Sequence, residues 1–78
     1  MYISTKQYLI NYDMVKYIKK AKSTSENKGD LFRLYFDFGE DNLVLYFKNE
    51  MDMENAYQAI LKCALYGNPG VDIRELEA

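Results

Sequence analysis

The 78-residue sequence contains no histidine, no tryptophan, one proline and one cysteine. Without histidine the usual metal-binding constellations cannot be assembled, and a lone Cys63 excludes an intramolecular disulfide. Cys63 also has no imidazole to activate it, so a small buried hydrophobe is the expected role rather than a nucleophile. No apolar run approaches the ~18 to 20 residues that cross a bilayer, and no basic-then-apolar leader opens the chain. The expectation is a cytoplasmic protein with no membrane segment. The polar stretch Ser23-Thr24-Ser25-Glu26-Asn27-Lys28-Gly29-Asp30 holds a Lys-Gly pair but lacks the Gly-x-x-x-x-Gly-Lys-Ser/Thr pattern of a phosphate cradle, and reads as an exposed connection between strands. Asp37, Glu40 and Asp41 bring three carboxylates together without the central glycine and distal glutamate of a calcium loop, so they read as a solvated turn. No metal and no cofactor is expected.

What is present is apolar and aromatic: 49% of the residues are hydrophobic, with eight tyrosines and four phenylalanines. The densest stretch is 31–47, Leu-Phe-Arg-Leu-Tyr-Phe-Asp-Phe-Gly-Glu-Asp-Asn-Leu-Val-Leu-Tyr-Phe. Phe32, Leu34, Phe36 and Phe38 fall on every second position and share one strand face. Gly39-Glu40-Asp41-Asn42 makes a four-residue hairpin loop. Closing Phe38 onto Leu43 sets Phe36 opposite Leu45 and Leu34 opposite Phe47, all on one face. On the other face this register places Tyr35 opposite Tyr46, Asp37 beside Val44 and Arg33 near Lys48.

The flanking segments extend this hairpin into a sheet. Residues 1–5 and 8–11 form two short strands around Lys6-Gln7, and Asn11-Tyr12-Asp13 forms a turn with side chains able to cap it. In 14–22 the apolar Val15 and Ile18 stand three apart, which calls for a bulge near Lys16 or Tyr17, the alternative being a short helical turn. A helix over about 50–66 follows, capped by Asn49, with Glu50, Asp52 and Glu54 at the positive end of its dipole. Its stripe runs through Met53, Ala56, Tyr57, Ile60, Cys63 and Ala64, and Gly67 with Pro69 ends it. Leu61 and Leu65 sit on its flank and need cover. The tail 68–78 has three open outcomes: pairing with a sheet edge, packing on Leu61 and Leu65, or fraying. The fold class is therefore α+β, a single domain over 1–78: an antiparallel β-meander of about four to five strands with one helix packed across one face.

Charge is divided along the chain. Residues 1–33 hold seven Lys/Arg against three Asp/Glu, net +4; residues 34–78 hold three against nine, net −6. An acidic total of −2 argues against generic nucleic-acid binding, which needs accumulated positive charge. Acid–base catalysis by carboxylate pairs would need a pocket that a small sheet under one helix does not leave, so no enzyme is expected. One constellation invites a functional reading: Tyr17, Lys19, Arg33, Tyr35, Val44 and Tyr46 on the sheet face away from the helix. Tyrosine is a good half-exposed strand residue, and it is also favoured in interfaces. The expectation is a non-enzymatic interaction or structural protein that self-associates, as a homodimer, with Tyr17, Arg33, Tyr35, Val44, Tyr46, Leu61 and Leu65 as interface residues and a foreign protein as another partner class. The alternative is a single-stranded nucleic-acid-binding accessory protein that stacks bases on the same face.

Leu9-Ile10-Asn11-Tyr12-Asp13-Met14-Val15-Lys16-Tyr17-Ile18, followed by strands and then Asn49-Glu50-Met51-Asp52-Met53-Glu54-Asn55-Ala56-Tyr57-Gln58-Ala59-Ile60, resembles small uncharacterised bacterial proteins from Gram-positive genomes, prophages or conjugative elements. In these an "Ile-Asn-x-x-x-Val-x-x-Ile" strand entry leads through a meander to a helix. The resemblance spans nearly the whole chain and implies a sheet-and-helix scaffold with no catalytic or binding residue to carry over. The tail after Pro69 departs from that pattern.

Overall fold

The structure, a computed structural model, describes residues 1–25 and 29–78. The chain runs β1 (Tyr2–Ser4), β2 (Leu9–Asn11), a 3-10 turn (Tyr12–Met14), β3 (Tyr17–Ser25), β4 (Gly29–Asp37), β5 (Asn42–Phe47), α1 (Glu50–Leu65) and β6 (Gly70–Asp72). The strands form two three-stranded sheets. β3, β4 and β5 make an antiparallel meander, whereas β1 is the centre of a sheet in which β2 is antiparallel and β6 parallel to it. This is the expected α+β class with one helix packed on strands. The strands are divided between two sheets because the 3-10 turn redirects the chain between β2 and β3. Asn11 Oδ1 accepts from the Asp13 N–H at 3.0 Å and starts that turn. It also explains the spacing of Val15 and Ile18. Val15 ends the turn and Ile18 lies in β3, so both pack against the core without a bulge.

The central hairpin forms with its apolar face intact but two residues out of the expected register. Phe32 pairs with Phe47, Leu34 with Leu45 and Phe36 with Leu43, while Asp37 pairs with Asn42. The loop is Phe38-Gly39-Glu40-Asp41, closed by the Phe38 N–H on the Asp41 carbonyl at 2.9 Å and by Asp37 Oδ1 accepting from the Gly39 N–H at 2.6 Å. A shift of two preserves parity, so the same side chains stay inside. The opposite face is changed: Tyr35 stands opposite Val44, not Tyr46, and Arg33 opposite Tyr46, not Lys48. β3 and β4 also pair out to Ser25 and Gly29, into the segment expected to be a connection. A polar composition signals exposure, but an antiparallel ladder needs only backbone groups. Residues 26–28 of that connection lie outside the described residues.

α1 forms for the reasons its ends suggest. Asn49 is extended (φ −148°, ψ 168°) and its Oδ1 accepts from the Asp52 N–H at 2.8 Å. At the other end Gly67 adopts φ +68°, which lets the Asn68 N–H reach back to the Cys63 carbonyl at 3.0 Å. Met53, Ala56, Ile60 and Cys63 are the buried stripe, and the helix packs on β4, β5 and β6.

The tail is part of the core. β6 lies beside β1, where a Cβ on Gly70 would stand 3.1 Å from the Tyr2 carbonyl oxygen, so glycine permits the close approach. Ile73 follows with 0% exposure, its N–H bonded to the Ser4 carbonyl at 3.0 Å. Ile3 and Ile10 from one sheet, Phe32, Leu34, Phe36, Leu45 and Phe47 from the other, Met53, Ala56 and Ile60 of α1 and Ile73 make one buried cluster. Beyond it the Ala78 N–H bonds the Tyr46 carbonyl at 2.8 Å, and Glu77 accepts from the Lys6 N–H, which ties the tail to β5 and to the β1–β2 turn. Among the described residues no helix is long and apolar enough to cross a membrane.

Candidate interaction face

The alternation that buries Phe36, Leu34 and Phe32 must place the intervening residues on the opposite side of the meander. Pairing across β3, β4 and β5 assembles them into three rows: Tyr17, Asp37 and Asn42; Lys19, Tyr35 and Val44; Ala21, Arg33 and Tyr46. α1 shares the buried cluster with the inner-face residues Leu34, Phe36, Leu45 and Phe47, and along β5 the outer face is bordered at Val44 and Tyr46 by Lys6, Gln7, Tyr8 and the tail residues Glu77 and Ala78. Tyr17 and Tyr46 are 55% and 53% exposed, and Arg33, Tyr35 and Val44 are half-buried.

The charges on this face are arranged along β4. The Arg33 guanidinium lies 5.4 Å from the Tyr35 ring centroid, and its Nε is buried with no hydrogen-bond acceptor among the described residues. Asp37 sits at the other end of the same face. Its carboxylate, by hydrogen bonding and by charge, raises the pKa of the Tyr17 phenol above its ordinary value. The lysines of the opposite parity do other work. Lys20 bonds Glu54 of α1 at 2.8 Å and lies over the Tyr57 ring, and Lys22 approaches Glu50 at 4.0 Å and covers Phe32. Glu54 raises the Lys20 pKa, chiefly through that hydrogen bond. Their stems close the flank between β3 and the helix while the ammonium groups reach water. An edge strand carrying inward-turned lysines is also a poor template for another strand.

No family model, no curated protein and no solved structure matches the chain. The chemistry of the face is thus read from its own residues.

Of the residues singled out in the sequence, Tyr17, Arg33, Tyr35, Val44 and Tyr46 share this one face. Leu61 does not join them directly. It is 39% exposed and lines a crevice beneath the start of β3 with Tyr12, Val15, Tyr57 and Tyr17. Leu65 is separate, 72% exposed at the end of α1 beside the exposed Tyr66. Asp37, Glu40 and Asp41 remain a turn, with Asp37 engaged by the Gly39 N–H. Cys63 is buried, its Sγ 3.3 Å from the Gly70 carbonyl oxygen.

A second apolar surface escaped the sequence reading. Tyr8, Leu9 and Met14 are exposed around a groove that Phe38 and Leu43 also line. The signal was available: Leu9 and Ile10 are adjacent apolar residues in a strand, so only one of them can face the core.

Proposed function

We propose that the protein is a small, non-enzymatic interaction or structural protein that self-associates as a homodimer through the outer face of β3, β4 and β5. The observation that carries this reading is a three-stranded face that gathers Tyr17, Tyr35, Tyr46, Val44 and Arg33, with Tyr17 and Tyr46 exposed. Half-exposed aromatic and aliphatic side chains gathered on one surface are the usual mark of a contact site. The two strand edges are weaker candidates. β3 is guarded by lysines, and the Tyr46 carbonyl of β5 already accepts from Ala78. Three strands about 4.8 Å apart that lie side by side over only the length of β5, Asn42–Phe47, give a small patch, so the association belongs to the weak, micromolar class. A bacterial cytoplasm is the setting that the resemblance to prophage and conjugative-element proteins supports.

The test is a concentration series in sedimentation velocity with wild type and the Tyr35→Ser/Tyr46→Ser double variant. Wild type is expected to move from monomer to dimer across the micromolar range, and the variant to stay monomeric with its helical circular dichroism largely unchanged. A wild type that remains monomeric at several hundred micromolar overturns self-association and makes a foreign protein the better occupant of the face.

One observation favours a second reading. Lys19 and Arg33 have no acidic ion-pair partner among the described residues and lie beside Tyr35, a combination on which single-stranded bases can stack. The net charge of −2 and Asp37 on the same face weigh against it. Salt-dependent retention of the protein on an oligonucleotide column distinguishes this reading from the first.

A further inference from the structure

Arg33, Tyr35 and Asp37 occupy three successive same-face positions of β4, with Tyr35 in the middle. Same-face neighbours on a strand are about 6.6 to 6.8 Å apart, so the cation and the anion are about 13 Å apart at the backbone. Arg33 forms no ion pair among the described residues, and its buried Nε lacks an acceptor. A sheet face with opposite charges equidistant from a central aromatic is self-complementary under a two-fold axis.

Resting on the self-association proposed above, we infer that two copies stack outer face on outer face about a two-fold axis that lies across the strands at Tyr35, so that Arg33 of each copy meets Asp37 of the other. Charge selects this axis. The alternative in-plane axis, parallel to β4, would place Arg33 on Arg33 and Asp37 on Asp37, and like charges juxtaposed in an interface suppress association. The selected axis also suits the flanking rows. It sets Ala21 opposite Tyr17, a small residue against a large one, and brings Val44 onto Val44 and Tyr35 onto Tyr35. Lys19 faces its own copy, but it stands on the edge strand, where its ammonium group can turn outward to water. Two sheets stacked in this way lie about 10 Å apart with strand directions within about 30°, an offset that the long Arg33 side chain spans. The Asp37 carboxylate accepts from the Gly39 N–H and is hydrogen-bonded to the Tyr17 phenol, and with about four lone-pair sites on its two oxygens it still has acceptor capacity for the guanidinium.

The test uses charge reversal in two separate chains. Arg33→Glu alone sets acid against acid twice in its homodimer, and Asp37→Lys alone sets base against base twice. Mixed one to one, the two variants restore both pairs. Each variant alone is expected to self-associate about tenfold or more weakly than wild type in sedimentation equilibrium, and the mixture to recover to within about threefold of wild type. Because Asp37→Lys also removes the turn acceptor, Asp37→Asn provides a second measure. It keeps an acceptor for Gly39 and should weaken the dimer while reducing its salt dependence. Variants that dimerise as well as wild type, or a mixture no tighter than its components, overturn this arrangement and leave dimerisation itself standing. A wild type that never dimerises overturns both.

Discussion

Ile73→Ala tests whether the tail is structural. Ile73 is fully buried in the cluster shared by both sheets and α1, and it directly follows the strand that pairs with β1. Replacing a fully buried isoleucine by alanine costs about 2 to 5 kcal/mol, through lost transfer energy and the cavity left behind. At about 0.05 to 0.15 kcal/mol per residue a chain of this length has about 4 to 12 kcal/mol in total, so the variant loses about a sixth or more of its stability. With about 4 to 8 °C per kcal/mol for a domain of this size, a 3 kcal/mol loss lowers Tm by about 12 to 24 °C. Thermal melting followed by circular dichroism reads this directly. Ile73→Val should cost only about 0.5 to 1.5 kcal/mol, and Leu65→Ala, on an exposed side chain, about 0.5 kcal/mol or less. A fall in Tm of less than about 3 °C for Ile73→Ala would show that the tail does not close the core.

Three further outcomes follow from the same packing. Ile60→Asp puts a carboxylate into the cluster that holds Phe36 and Leu45, and an unpaired buried charge of this kind should abolish cooperative melting; a soluble variant with a sharp transition would refute the position of α1. Cys63→Ser should cost only about 1 kcal/mol, because the hydroxyl can donate to the Gly70 carbonyl that now faces the thiol, and native Cys63 should react with a thiol reagent only at the rate of opening, with fast stoichiometric labelling as the contrary result. Arg74 holds the Asp72 carboxyl down to about 2 from an ordinary 3.8, chiefly through side-chain hydrogen bonds, so its contribution is complete above about pH 4 and is lost as pH falls toward 2. The pair is exposed and screened by water, so Asp72→Asn should lower Tm at pH 6 only slightly and converge with wild type as pH falls through about 2, and a pH-independent difference would contradict this.

The hairpin's inner face was legible because parity is a property of sequence, whereas its register was not, because a two-residue slip leaves every apolar residue inside. The loop decided the register, since Asp37 caps the Gly39 N–H and Phe38 pairs back to Asp41, and neither contact has a sequence pattern strong enough to displace the loop assumed. α1 could be read closely, since Asn49, the Met53-Ala56-Ile60-Cys63 stripe and Gly67 agree with one another. β6 could not. Three residues with one half-buried side chain carry almost no periodic signal, and their pairing with β1 brings together opposite ends of the sequence. The outer face was legible as a set of residues, as Tyr17, Arg33, Tyr35, Val44 and Tyr46 share a surface; which of them are neighbours depended on the register. The inward lysines of β3 were missed because Lys20 and Lys22 have inner-face parity, yet charged residues read as solvent-facing.

The most direct measurement of the central claim is nuclear magnetic resonance of the wild-type protein on serial dilution through the micromolar range, following the methyl groups of Ala21, Val44, Leu61 and Leu65 and the ring of Tyr35. Self-association through the outer face predicts concentration-dependent shifts at Ala21, Val44 and Tyr35 and none at Leu65, which lies at the far end of α1. Shifts confined to Leu61 and Leu65, or spectra that do not change on dilution, would contradict it.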